Sequence, residues 1–220
     1  MTKLQRLYAD YGQSPWLDNI TRRYLRDGTL ARMVEAFSAA GGDLSKVHSV
    51  ASFFVSRVDT EVDRRLEEIG GDDALGLRGL AAIAQAKLAY RLFRDRFSGP
   101  RWERLAVLGA HRQRPLWAST STKNPAYPDT LYVDSLIGAD TVTTLPEPTI
   151  AAYEDHGTLA RTIDTDVDDA ADVMRRLATA GIDMDDVGLA LETQGVASFH
   201  TSFQDVLTGL DAKTSHRTDR

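Results

Sequence analysis

The sequence predicts a parallel α/β fold, about four strands of a partial (β/α)8 barrel with flanking helices. Two observations predict it. Short apolar, β-branched runs alternate with longer stretches of helical spacing, the pattern of parallel strands joined by crossover helices. The 220 residues are spent mostly on those helices, leaving three or four strands where a closed eightfold barrel takes about 250 residues. The chain therefore reads as half a barrel.

Lys3 to Tyr11 reads as a short helix closed by Gly12, and Pro15-Trp16-Leu17-Asp18 as a brief strand. Residues 20–40 have helical spacing, ended by Gly41-Gly42. Residues 47–58 are apolar and β-branched enough for a strand. A charged helix follows over 60–69, and a long Ala/Leu-rich helix over 75–97, stopped at Gly99-Pro100. After a helical stretch over 102–109, Arg114-Pro115-Leu116-Trp117-Ala118 is the next strand. Asn124-Pro125 and Tyr127-Pro128-Asp129 force an ordered loop. A short helix over 131–136 and a strand over 140–145 come next, then a helix over 150–156. From Thr165 the pattern is helical, its acidic residues in the opening turns where the helix dipole favours them. The last helix is expected over 196–210, within a single domain of residues 1–210, followed by a polar tail over 211–220.

A net charge of −6 argues against a nucleic-acid binder, which needs a basic surface. The absence of cysteine excludes disulfides and thiolate metal sites and fits a reducing compartment. The first residues are polar and no long apolar run occurs, so the expectation is a cytoplasmic protein without membrane contact.

The chemistry-bearing pattern is a repeat. Val50-Ala51-Ser52-Phe53-Phe54-Val55-Ser56-Arg57 and Leu116-Trp117-Ala118-Ser119-Thr120-Ser121-Thr122-Lys123 both run from apolar strand to hydroxyls to a cation. Hydroxyls and a cation at a strand end suit a phosphate or another compact anion. Arg57 either lines a pocket mouth with Ser52 or pairs with Asp59 or Glu61 at a helix start. Lys123 either clamps an anion, attacks a carbonyl as a neutral amine, or is an ordinary loop lysine. Asp18 is either a proton-transfer group or the cap of the following helix. The histidines are scattered without metal-site spacing, and the Asp164–Asp169 run lacks the glycine and distant glutamate of a calcium loop.

Taken with their neighbours, Asp18, Ser52, Arg57, Ser119 and Lys123 resemble transaldolases, the longer bacterial form above all. Gln13-Ser14-Pro15-Trp16-Leu17-Asp18-Asn19 is similar to that family's first strand. The segment around Ser49-Val50-Ala51-Ser52-Phe53-Phe54-Val55-Ser56-Arg57-Val58-Asp59-Thr60 resembles its sixth, and Arg114-Pro115-Leu116-Trp117-Ala118-Ser119-Thr120 with Lys123-Asn124-Pro125-Ala126-Tyr127-Pro128-Asp129-Thr130-Leu131-Tyr132 its seventh. Asp140-Thr141-Val142-Thr143-Thr144-Leu145-Pro146 resembles the eighth. The resemblance implies an (α/β)8 barrel that moves a dihydroxyacetone unit between sugar phosphates of the sedoheptulose 7-phosphate/glyceraldehyde 3-phosphate type. The pathway implied is the pentose phosphate pathway, with no metal or organic cofactor. By the same resemblance, Asp18 assists proton transfer, Ser52 contacts substrate, and Arg57 and Lys123 bind its phosphate near Ser119.

Lys123 stands where many relatives carry arginine, so it is not the Schiff-base lysine of this family. That lysine belongs to a fourth strand with no counterpart here. The second, third and fifth strands are likewise unmatched, which implies an internal deletion near residues 34–37. Strands one, six, seven and eight are neighbours in the closed barrel, so what remains should form one open parallel sheet. Raw edges and an apolar face then predict association with a second copy or with a fragment carrying the other strands. Three readings follow: a transaldolase that recruits Lys46, Lys87 or Lys123; a non-catalytic sugar-phosphate-binding half-barrel or part of a split enzyme; and an unrelated α/β binding module, which leaves the motifs unexplained.

Overall fold

In a computed structural model, residues 3–16 and 48–218 are described. Asp18, Lys46, the expected helix over 20–40 and the junction near 34–37 lie outside them. The elements are α1 (Lys3–Tyr11), β1 (Ser14–Trp16), β2 (Val50–Phe54), α2 (Val55–Ile69), α3 (Asp72–Leu75), α4 (Ala81–Arg96) and α5 (Gly99–Val107). They continue with β3 (Arg114–Ala118), α6 (Leu131–Ser135), β4 (Val142–Thr144), α7 (Glu147–His156), α8 (Val167–Thr179) and α9 (Met184–Thr218).

The sheet is small, wholly parallel and open, in the order β1-β4-β3-β2. β2 and β3 pair along their full length, from Val50 opposite Arg114 to Phe54 opposite Ala118. β1 is a three-residue edge strand, with Ser14 opposite Val142.

Alternation along the strands divides the sheet residues between two clusters. Phe53 and Trp117 join the larger core, which α2, α4, α8 and the start of α9 complete with Val58, Val62, Leu66, Tyr90, Phe93, Leu177 and Val187. Phe53 packs on the fully buried Trp117 with ring centroids 5.5 Å apart. On the other face Leu116, Ala118 and Val142 cluster with Val50 and Phe54. Leu116 and Val142 have no exposed surface, so the apolar face expected to lie open is closed at β3 and β4.

Several boundaries differ from the sequence reading, each for a local reason. The strand expected over 47–58 stops at Phe54, because Val55, Val58, Val62 and Leu66 are buried at helical spacing and draw the chain into α2. Arg57 thus sits in the first turn of a helix and not at a strand end. The long helix expected over 75–97 is cut by a turn at Gly79, whose φ of +74° favours glycine and where a Cβ would meet the Tyr127 ring at 2.9 Å. Pro100 opens α5 where it was expected to end a helix, since the first turn has no use for its missing N–H. The last helix begins at Met184, well before 196, because Asp183 Oδ1 accepts from the Asp185 backbone N–H at 2.9 Å. It continues to Thr218, past the expected end at 210.

Candidate functional site

The register that sets Phe54 opposite Ala118 brings the carboxyl ends of β2 and β3 level. The residues just beyond them meet. The Ser56 backbone N–H donates to the Ser119 carbonyl at 3.0 Å, and the two hydroxyl oxygens lie 2.8 Å apart. Ser119 holds a φ of +58°, a left-handed conformation that costs a non-glycine residue energy and here aims its hydroxyl at the start of α2. The two sequence motifs are therefore one structural unit, joined through their serines and facing a helix N-terminus, where backbone dipoles favour negative charge.

The remaining hydroxyls divide their work. Thr120 is buried and donates to the Thr144 carbonyl at 2.6 Å, while Thr144 Oγ1 donates to the Trp117 carbonyl at 3.3 Å. These bonds tie β3 to β4 and leave Thr120 a structural role. Ser52 lies in β2 opposite Leu116, half-buried. Arg57 is exposed, its guanidinium 5.0 Å from the Phe54 ring centroid. The alternative for Arg57, an ion pair with Asp59 or Glu61, does not form, and both carboxylates are engaged elsewhere. Glu61 takes Arg64 at 2.9 Å and Arg65 at 2.8 Å. The hydrogen bond from Arg64 holds its carboxyl down at about 2, with Arg65 adding to the effect against the cost of burial.

Lys123 is exposed and donates to Ser121 Oγ at 2.9 Å. Its loop is built from within, as Asn124 accepts from the Ala126 N–H through its side chain and from the Tyr127 N–H through its carbonyl. The loop borders a cavity of about 190 Å³ that Lys123 shares with Asp59, Asp63 and Glu67 of α2 and with Tyr127 and Tyr132.

That cavity contains what sequence reasoning missed. Asp63 accepts from the Gly79 N–H at 2.9 Å and from the Tyr127 hydroxyl at 2.6 Å. Asp59, one turn earlier, accepts from the Ala82 N–H and the Tyr132 hydroxyl, each at 2.8 Å. Burial pushes the Asp59 carboxyl up to about 6, against the opposing pull of those bonds. The available signal was two carboxylates at i,i+4 on a helix and two tyrosines five residues apart, one in the proline loop and one in the short helix after it.

No lysine stands on a described strand. Lys3 donates to the Gly157 carbonyl at 2.9 Å, and Lys87, on the helical layer, to the Thr165 carbonyl at 2.8 Å. Among the described residues no three His, Asp or Glu side chains gather as a metal site. Asp164 is bonded by Arg161 and lies 3.2 Å from Arg94. His48 and His111, expected to stand apart, stack at 4.2 Å before β2 and β3.

The transaldolase/fructose-6-phosphate aldolase family model matches residues 29–210. The chain belongs to this family. It is 55% identical over 175 residues to a transaldolase of Parafrankia sp. (strain EAN1pec), covering 79% of this chain and 47% of that protein. Identity to a transaldolase of Acidothermus cellulolyticus is 54% over 174 residues, covering 79% and 46%. For a transaldolase of Mycolicibacterium smegmatis it is 51% over 175 residues, covering 79% and 47%. The chain thus spans about half the length of the curated transaldolases it matches. Among the described residues no helix is long and apolar enough to cross a membrane.

Proposed function

We propose that this transaldolase-family chain carries the phosphate-holding half of a transaldolase site. It takes sugar phosphates of the sedoheptulose 7-phosphate/glyceraldehyde 3-phosphate type. The observation that carries the reading is the junction of Ser56 and Ser119 at the carboxyl ends of two adjacent parallel strands. In this reading β1, β4, β3 and β2 correspond to the first, eighth, seventh and sixth strands of a (β/α)8 barrel, since their order in the sheet is the order those strands keep around it. Residues 1–210 form one partial-barrel domain. Arg57 and Lys123 supply positive charge to the phosphate, Ser119 and Ser52 supply hydroxyls, and Asp18 takes part in proton transfer.

Moving a dihydroxyacetone unit requires a lysine amine that condenses with the ketose carbonyl and releases water, holding the unit as an imine. The described strands carry no such amine. A complementary chain bearing the missing strands is the natural source, which makes this a component of a split enzyme.

The test is a pair of measurements. Titration of the purified chain with sedoheptulose 7-phosphate should show saturable binding, lost on replacing both Arg57 and Lys123 with alanine. Borohydride reduction with the same ketose phosphate should trap no adduct on the chain alone. Absence of binding by folded protein refutes the phosphate site. An adduct mapped to Lys46, Lys87 or Lys123 replaces the split-enzyme reading with self-sufficient catalysis.

A further inference from the structure

Over its first turns α9 packs on the body through Met184, Val187 and Leu191, and Arg65 of α2 bonds Asp186 at 2.6 Å. From Val196 to Leu210 every residue is exposed. This segment is nevertheless apolar along one side. Leu189, Val196, Phe199, Phe203, Val206 and Leu210 are all more than half exposed, and none falls below 54%.

Their spacing is that of a helix–helix seam. Positions 189, 196, 203 and 210 recur every seven residues, and 199 and 206 fall between them, the a and d pattern of a two-stranded coiled coil. Six large apolar side chains on one stripe exceed the scattered exposure that is normal for a monomer, and approach the scale of the about 800 Å² each partner gives to a stable interface. The charge pattern selects the occupant. Between Val196 and Leu210 the formally charged side chain is Asp205 alone, in a chain of net charge −6. A second copy would meet this stripe with apolar surface and no array of like charge, whereas a charged partner would find nothing to pair with.

We propose that the outer half of α9 pairs antiparallel with the same helix of a second copy of this chain. A parallel pairing would set Glu192 opposite Glu192 in the seam. An antiparallel pairing centred on Thr201 sets Phe199 against Phe203 and Val196 against Val206, and carries the two bodies to opposite ends. The small residue Ser202 borders the seam beside Phe203 and lets the helices approach. The pairing is two-fold symmetric and self-complementary. It does not depend on sugar-phosphate binding.

Sedimentation velocity of the full chain over a range of concentrations tests it. The expected result is a dimer that becomes a monomer in the double variant Phe199→Asp/Phe203→Asp, whose body stays folded because both sites are exposed in the single chain, while the melting temperature of the parent alone rises with protein concentration. A monomeric parent chain, or a dimer that survives the double variant, overturns the proposal. So does a stripe that is covered only when a fragment bearing the missing barrel strands is added. Because the chain has no cysteine, single spin labels at Ser202→Cys and Thr193→Cys report the orientation. Antiparallel helices bring the first pair together and leave the second roughly 24 Å apart along the axis. Equally short distances at both positions refute the antiparallel geometry.

Discussion

Tyr132 donates its hydroxyl hydrogen to Asp59 at 2.8 Å inside a core where Asp59 is 1% exposed. The same carboxylate accepts from the Ala82 N–H at the start of α4. One side chain of α2 therefore fixes both the helix beside it and the segment that follows the Lys123 loop. Ionisation of this carboxyl in the fold is disfavoured by burial, the largest influence on it.

A pH dependence of stability follows. The folded carboxyl titrates near 6 and the unfolded one near 3.8. Below the lower value both states are protonated and the contribution is fully present. Between about pH 4 and 6 the unfolded chain has released a proton that the fold retains, so stability declines, by on the order of 3 kcal/mol in all. Above that window the contribution is gone. Urea unfolding at stepped pH should show this decline in the parent chain and a flatter profile across the same window in Asp59→Asn.

Ser119 offers a separation of strain from bonding. Ser119→Ala loses the hydroxyl contact with Ser56 and keeps the left-handed backbone, whereas Ser119→Gly loses the same hydroxyl contact and relieves the strain. The glycine variant should be more stable than the alanine variant by about 1 kcal/mol. Both should bind sugar phosphate more weakly than the parent chain. Equal melting temperatures for the two would contradict the strain assigned to this residue.

Gly138 lies where a methyl group would overlap Ile163 Cγ2, and Ile163 is fully buried. Gly138→Ala should cost about 2–3 kcal/mol, since the packed side chain has no free space to take. Thermal unfolding reads this directly. The companion Gly71→Ala has no neighbour to strike, and its cost should come from its positive φ alone.

The charges assigned to phosphate carry their own signature. Arg57→Ala and Lys123→Ala should each weaken sugar-phosphate binding about tenfold, which is about 1.4 kcal/mol. Because both side chains are exposed, the melting temperature should barely move. Calorimetric titration of each variant checks the pair, and binding should weaken further as salt is added.

Much of the fold was legible because its signals are local. β3 was bounded correctly at Arg114 and Ala118 by the proline loop after it and its dense apolar run. The first helix was bounded by Gly12. The start of α2 was not legible, since Val55 and Val58 suit a strand as well as a helix, and only the burial of Val62 and Leu66 beneath α4 decides between them. At the site, the two motifs that meet through Ser56 and Ser119 stood out because each is contiguous in sequence. The Asp59–Tyr132 and Asp63–Tyr127 bonds did not, because each joins residues more than sixty positions apart. An acid next to a basic residue also suggests a neighbouring ion pair before it suggests a distant tyrosine.

The placement of β1 beside β4 has a consequence for synthesis. The residue just before β1, Gln13, reaches its partner Thr141 across 128 positions of chain. At an elongation rate of about 5–20 residues per second, the first strand emerges roughly 6–25 seconds before the strand it must join. Throughout that interval the nascent chain holds an unpaired segment that nothing yet made can complete. Among the described strands, β1 is thus made first and is secured only once β4 has followed it.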